Sequence, residues 1–510
     1  MQPNTSNNKR IAINTIMLYF RMFLTMGVAL FTSRVILQSL GVQDYGIYNV
    51  VAGFVSMFTF INSAMTSATQ RYITFAIGKN EKCRINTVFC TSVNIHILIS
   101  VLLVLVAESF GLWFLNSHMT IPQDRMYAAN VVYQFAILST VVMIISTPYN
   151  ALIVAHEKMS AFAYISILDV TIKLLIAYLL YIASYDRLIV YAFLMFLAQI
   201  IIRQMYSTYC HRHFPVSKFH LIKDKPLFKE MISFSVWSLF GNLASVGAGQ
   251  GVNVILNMFF GPVVNAARGV AIQVQNAVMG FSNNFQMAMN PQITKNYATG
   301  NLSYMHTLIY ASSKYSFFLL FILSLPIIIE ADNILSVWLG IVPEHTDNFL
   351  RFALVTSIVN AMAGPLTIAA QANGKIKMYQ SIVGGILLMS FPIAYVCLKL
   401  GGKPEIVYFV DLSVVCVAQV VRIYMMRSMI KLPIHEYFKK VLFRVMIVAI
   451  LGSVLPILVY MFLPKHTFLS FVSVCVACVV SVALSVYTLG ISQNERAKVI
   501  SFVKRKIEKK

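Results

Sequence analysis

The chain has 510 residues, of which 58% are hydrophobic and 11% charged, against roughly 25% charged in a soluble domain. That composition excludes an ordinary soluble enzyme: at ~20 apolar residues per bilayer-spanning helix, the apolar residues suffice for about fourteen passes joined by short loops. With 40 Lys+Arg against 18 Asp+Glu the net charge is +22, so the position of the basic residues is the main question.

In chain order, apolar runs of spanning length predict helices at 11–36, 46–68, 86–115, 126–154, 159–183 and 188–210. A second set follows at 228–259, 263–289, 306–329, 348–370, 376–398 and 405–426, and a last pair at 441–463 and 467–490. The expected fold class is an all-α integral membrane protein with fourteen transmembrane helices. The first run is too long for a signal-peptide core and no small-residue cleavage site follows it, so it reads as retained. When helix ends are counted with the adjoining connections, 29 of the 40 basic residues fall on the side of the two termini and six on the other. This positive-inside bias predicts that both termini are cytoplasmic. Five cations remain inside helices: Arg21, Arg34, Lys173, Arg268 and Lys314.

The first six helices recur in the second six. Val35-Ile36-Leu37-Gln38 leading to Gly41 matches Val254-Ile255-Leu256-Asn257 leading to Gly261, an offset of 220 that also relates Ile73-Thr74 to Ile293-Thr294. Further on, PYNALIVAHEK (148–158) aligns with PLTIAAQANGK (365–375) at an offset of 217. An even number of passes per unit gives the two halves one orientation, the parallel-repeat plan of many transporters, with the substrate path between the lobes. The expected division is an N-lobe at 1–210, a basic cytoplasmic linker at 211–227 and a C-lobe at 228–430. Two extra helices occupy 431–490, and a basic amphipathic tail at 491–510 is expected to lie on the anionic inner leaflet.

The second helix of each half carries a polar or small stripe at helical spacing. It includes Asn49, Ser56, Ser63 and Gln70 in the first half and Gln273, Asn276 and Asn283 in the second. Polar groups facing lipid are costly, so the stripes should point inward, either lining a cavity or bonding helix to helix. Arg21 lies about ten residues, or roughly 15 Å, into the first helix, near the bilayer midplane, where an arginine usually meets a watery cavity or a partner. Arg34 and Arg268 lie nearer the outer ends of their helices, and Arg34 can snorkel to the interface. Lys314 lies about eight residues into its helix. Asp169 and Lys173 have the spacing of an intrahelical ion pair; they neutralise one another or mark a coupling-ion site. Excluding that pair, the interior is cationic and suits an anion, and the arginine fork suits phosphate oxygens.

Other motifs carry little chemistry. Cys475 and Cys478 have C-x-x-C spacing inside an apolar helix without histidine or acid nearby, so they read as packing residues. The GAGQG run at 247–251 has no preceding strand and no following Lys-Ser/Thr, so it is not a phosphate loop; its glycines permit bending or close packing.

The segment SRVILQSLGVQDYGIYN (33–49), the T-x-x-x-Q-R-Y stretch at 66–72 and the A-x-x-K ending at 155–158 together resemble bacterial Wzx-like polysaccharide-export flippases. These form a branch of the multidrug/oligosaccharidyl-lipid/polysaccharide exporter superfamily. The resemblance covers the full chain. It implies a plasma-membrane transporter that flips an undecaprenyl-diphosphate-linked oligosaccharide from the inner to the outer leaflet by alternating access, serving O-antigen, capsule or exopolysaccharide export. Arg21, Arg268, Lys314 and Arg34 are then the expected diphosphate-binding cations, the stripe residues the cavity lining, and Asp169 with Lys173 the expected ion-coupling position. Expected partners are the lipid-linked oligosaccharide, anionic lipids and other polysaccharide-assembly proteins, with no nucleic acid, cofactor, metal or catalytic residue. The alternatives are a cation-coupled small-molecule or drug exporter of the same superfamily, or a membrane glycosyltransferase or polymerase. Small cationic drugs would favour acidic cavity residues. The enzyme reading lacks a D-x-D pair among the aspartates and a large external loop.

Overall fold

The structure, a computed structural model, describes residues 5–56, 59–118, 121–182, 185–222, 224–339, 342–463, 467–493 and 495–496. The side chains of Asn49 and Ser56 and the tail beyond Arg496 lie outside the described residues. Contacts divide the chain into two units, Met1–Leu243 with Thr294–Asn301, and Ala244–Ile293 with Leu302–Lys510. The division falls inside a helix, after the 211–227 connection.

The first unit contains α1 (Thr5–Ser56), α2 (Thr59–Gly78), α3 (Lys82–Val106), α4 (Leu112–His118), α5 (Met126–Ala155), α6 (Met159–Ile182) and α7 (Arg187–His213). It also takes the start of α8 (Lys225–Phe260) and the last turn of α9 (Pro262–Ala298). The second unit holds the rest of α8 and α9, then α10 (Leu302–Ile329), α11 (Ala331–Leu339), α12 (Thr346–Ala361), α13 (Ala363–Asn373), α14 (Ile376–Leu388), α15 (Ser390–Lys399) and α16 (Ile406–Ile430). It ends with α17 (Ile434–Tyr437), α18 (Phe443–Phe462) and α19 (Phe468–Ser485).

Among the described residues, 12 stretches are long and apolar enough to cross a bilayer, so the chain is a multi-pass membrane protein. The sequence predicts fourteen passes; the difference lies in α2 and α9, which at 20 and 37 residues are long enough but do not join the apolar set. These are the helices that carry most of the stripe residues. A helix with a polar face needs something other than lipid on that face, which is why hydropathy alone under-weights it.

The duplication is repeated in the backbone. Gly41 (φ 80°) interrupts α1 and its counterpart Gly261 (φ 77°) separates α8 from α9. Asn80 (φ 57°) pairs with Gly300 (φ 75°), and Glu157 (φ 61°) with Gly374 (φ 86°). Each pair ends equivalent helices at the offsets read from the sequence. An arginine near the start of the equivalent long helix is held in both units. Arg125 reaches Asp44 and Asp186, each at 2.6 Å, and Arg351 reaches Asp347 at 2.8 Å and Asp332 at 3.0 Å.

In the second unit one amide of α9 reaches both α10 and the end of α12. Gln286 of α9 donates to Ser282, Ser316 and the Ala361 carbonyl at 3.1, 3.0 and 2.8 Å, and a side chain on Gly364 would run into its amide oxygen. Gly364→Ala should therefore destabilise the detergent-solubilised protein by about 1–3 kcal/mol, the usual cost of overpacking, read as a lower unfolding temperature. An unchanged melting temperature would show that the amide repacks freely.

Candidate transport site

In the first unit the membrane-embedded polar groups converge from four helices. Arg21 of α1 lies over the Phe162 ring of α6, 4.6 Å from its centroid, and shares an electrostatic contact with Tyr206 of α7. The Tyr206 hydroxyl lies near Ser166 of α6 and Asn150 of α5 and also senses Asp169. Lys173 Nζ donates to Asp169 Oδ2 at 2.8 Å. The two residues are thus an intrahelical ion pair, one turn of α6 apart as their spacing predicts, and Arg21 belongs to the same polar patch. Sequence spacing alone does not connect these groups; α1 and α6 meet only through packing.

The second unit has its own arginine centre. Arg268 of α9 is 8% exposed; its Nε donates to Asn253 Oδ1 at 2.5 Å and a terminal nitrogen to the Gly249 carbonyl at 2.9 Å. The guanidinium lies 5.7 Å from the Tyr408 ring centroid, and Asp411, one turn along α16, feels its charge. Asp411 was not among the residues singled out from the sequence, where it is a lone acid in an apolar helix. Gly249 supplies a carbonyl to the arginine, and Gly251 leaves room for the Phe391 ring, so the glycine run in α8 serves close approach.

The other predicted residues separate. Lys314 is buried and bonded to Glu495, in the first turn of the 491–510 tail: its ammonium is 3.1 and 2.9 Å from the two carboxylate oxygens, and Tyr315 donates to the same group at 2.9 Å. In this structure the cation is occupied by the chain's own carboxylate. Arg34 is exposed. On α9, Gln273, Asn276 and Asn283 are all exposed on one face, while Gln275 and Gln286 turn inward and bond α12, α10 and the α12–α13 region. In the first unit Ser63 accepts from Asn242 at 3.1 Å and Gln70 is half-buried; Asn49 and Ser56 fall on side chains outside the described residues. A further interior cation, Arg422, is 5% exposed and lies eight residues before the end of α16. The side-by-side count of basic residues assigned it to the cytoplasmic connection; its distance from the helix end was the available signal.

The same assembly of helices is found in solved transporter structures. A MATE transporter in its bent conformation matches with a TM-score of 0.72 at 13% identity, over 84% of this chain and 98% of that one. The fold is that of the MATE transporters. An outward-facing multidrug-resistance MATE family transporter of the MOP superfamily matches with a TM-score of 0.70 at 12% identity, over 82% and 95% of the two chains. The MATE transporter ClbM in complex with Rb+ matches with a TM-score of 0.66 at 15% identity, over 81% and 94%. The MatE family model matches residues 18–179, which run from α1 to α6 of the MATE fold and include Arg21, Asp169 and Lys173. No curated protein sequence matches the chain.

Proposed function

We infer that the protein is a membrane transporter whose cargo is an anionic amphiphile, a diphosphate-linked lipid oligosaccharide, carried from the inner to the outer leaflet of a bacterial plasma membrane. The observation that carries the anionic reading is the interior charge. Within the helices, Arg21, Lys173, Arg268, Lys314 and Arg422 outnumber Asp169, Asp411 and Glu108 among the described residues, and Lys314 is matched by Glu495. Asp169 is matched by Lys173 and Asp411 lies beside Arg268. Such an interior draws in a phosphate and repels a small cation. The exposed amide face of α9, with Gln273, Asn276 and Asn283, has donors and acceptors suited to sugar hydroxyls.

The second reading is a cation-coupled small-molecule exporter. The shared fold favours it more directly, because the solved neighbours include a multidrug-resistance transporter and a Rb+ complex. Under this reading Asp169 is the coupling position. Reconstitution into liposomes separates the two. Leaflet exchange of a fluorescent lipid-diphosphate oligosaccharide should be accelerated by the protein, whereas efflux of a cationic dye under an imposed sodium or proton gradient should stay at the level of empty vesicles; the reverse result transfers the protein to the exporter class. Asp169→Asn should leave the gradient dependence of exchange unchanged if the carboxylate only neutralises Lys173. A loss of that dependence would make Asp169 the ion site.

A further inference from the structure

The turn joining α5 to α6 holds a carboxylate that lies outside the polar patches above. Glu157 N–H bonds the Val154 carbonyl at 2.9 Å and Lys158 N–H bonds the Ile153 carbonyl at 3.1 Å. This closing motif places its central residue in the left-handed region, where glycine is the usual occupant. At the equivalent turn of the second unit that residue is a glycine, Gly374 (φ 86°); here it is Glu157 (φ 61°). The turn itself has no need of a side chain, and a glutamate there strains the backbone.

The side chain has a specific environment. Its carboxylate has no solvent exposure; Arg10 Nε of α1 lies 3.2 Å from Oε2, and Lys295 of α9 donates to Oε1. Arg10 also donates to the His156 carbonyl at 2.6 Å and Asn14 to the Glu157 carbonyl at 3.1 Å, so the turn is clamped to the start of α1. Burial, reinforced by Lys295, Arg10 and Lys158, pushes the His156 imidazole below its ordinary range, which keeps it neutral at cellular pH. Lys295 belongs to Thr294–Asn301, the end of α9 that packs in the first unit, whereas α9 up to Ile293 is part of the second. Gly78 at the end of α2 receives this last turn: a Cβ there would come within 2.8 Å of Ala298 Cβ and 3.0 Å of the Lys295 carbonyl.

Resting on the transport reading, we propose that Glu157 is a latch that holds the last turn of α9 through Lys295 in one state of the transport cycle and releases it in the other. The two cations make release feasible. Stripping a buried carboxylate of its only partner is strongly unfavourable, but Glu157 keeps Arg10 when Lys295 leaves. Arg10 stays bound to the turn through its second contact, so the charge on Glu157 is compensated in both states. A glutamate at a glycine position is then explained by the carboxylate it carries.

The test is thiol labelling in a chain whose seven native cysteines are replaced by serine or alanine and which carries Ala298→Cys, reconstituted without cargo. Lys295→Met should raise the maleimide labelling rate about tenfold, Glu157→Gln should raise it as well, and Lys295→Arg should match the parent. Equal rates in the parent, Lys295→Met and Glu157→Gln would overturn the latch, and either neutral variant alone decides the point if the other does not fold. Adding the lipid-diphosphate oligosaccharide should change the parent's rate at least threefold; a constant rate under conditions where exchange is observed would show that the contact does not move in the cycle. Failure of the exchange assay itself overturns the transport reading, and the cargo-free labelling result stands apart from it.

Discussion

Arg21→Ala combined with Arg268→Ala should reduce protein-dependent leaflet exchange of a lipid-linked diphosphate at least a hundredfold, with each single substitution giving a smaller loss. On the proposed anionic-cargo reading each arginine supplies one charge-assisted hydrogen bond worth about 1.5–3 kcal/mol, and about 1.4 kcal/mol is a factor of ten, so two such bonds account for a change of this size. The two arginines differ in what else they hold. Arg268 is bonded to Asn253 and Gly249 and lies near Asp411, so its removal also leaves a half-buried aspartate with less compensation. Arg21 stacks on Phe162. Arg21→Lys and Arg268→Lys preserve the charge but lose the planar fork; they should recover part of the exchange. Normal exchange by the double alanine variant, with normal folding by thermal melt, would remove these arginines from cargo binding.

Glu495→Ala should destabilise the second unit by about 3 kcal/mol, because it leaves the Lys314 ammonium, 5% exposed, without its carboxylate; breaking a buried pair by removing one partner costs roughly this much. Adding Lys314→Met should restore most of the loss, since an apolar chain needs no partner there. The same pair predicts an acid dependence. Burial pushes the Glu495 carboxyl up, but bonds from Ser492 N–H and Lys314 outweigh it and hold the group at about 2, below the ordinary ~4.3 of a glutamate. A carboxyl depressed in the folded state stabilises above its unfolded value, and that contribution fades as pH falls through 4 towards 2. Melting temperatures of the detergent-solubilised protein should fall across this window in the parent. In Glu495→Gln they should start lower and fall less. Parallel curves would mean that the pair contributes nothing to stability.

The passes and the repeat were legible in the sequence for a local reason. Hydropathy over some twenty residues decides whether a helix can enter a bilayer, and the chain leaves a helix or breaks it through a residue in the left-handed region, a conformation that Gly41 shares with Gly261 and Glu157 with Gly374. Asp169 and Lys173 were equally legible, since the helix itself brings residues four apart together. Other pairings depend on which helices pack. Lys314 read as a cavity cation because its partner is 181 residues away. Asp411 gains significance only beside Arg268, and Arg422 appeared to belong to a helix end.

Length and composition settled that this chain is a helical, multi-pass membrane protein, because the bilayer acts on each segment separately. Tertiary packing decided which of its buried charges are neutralised and by what. Those pairings join α1 to the α5–α6 turn and α9, α9 to α8 and α16, and α10 to Glu495 in the tail, and in a low-dielectric interior the energy of a charge depends on its nearest partners and not on its place in the sequence.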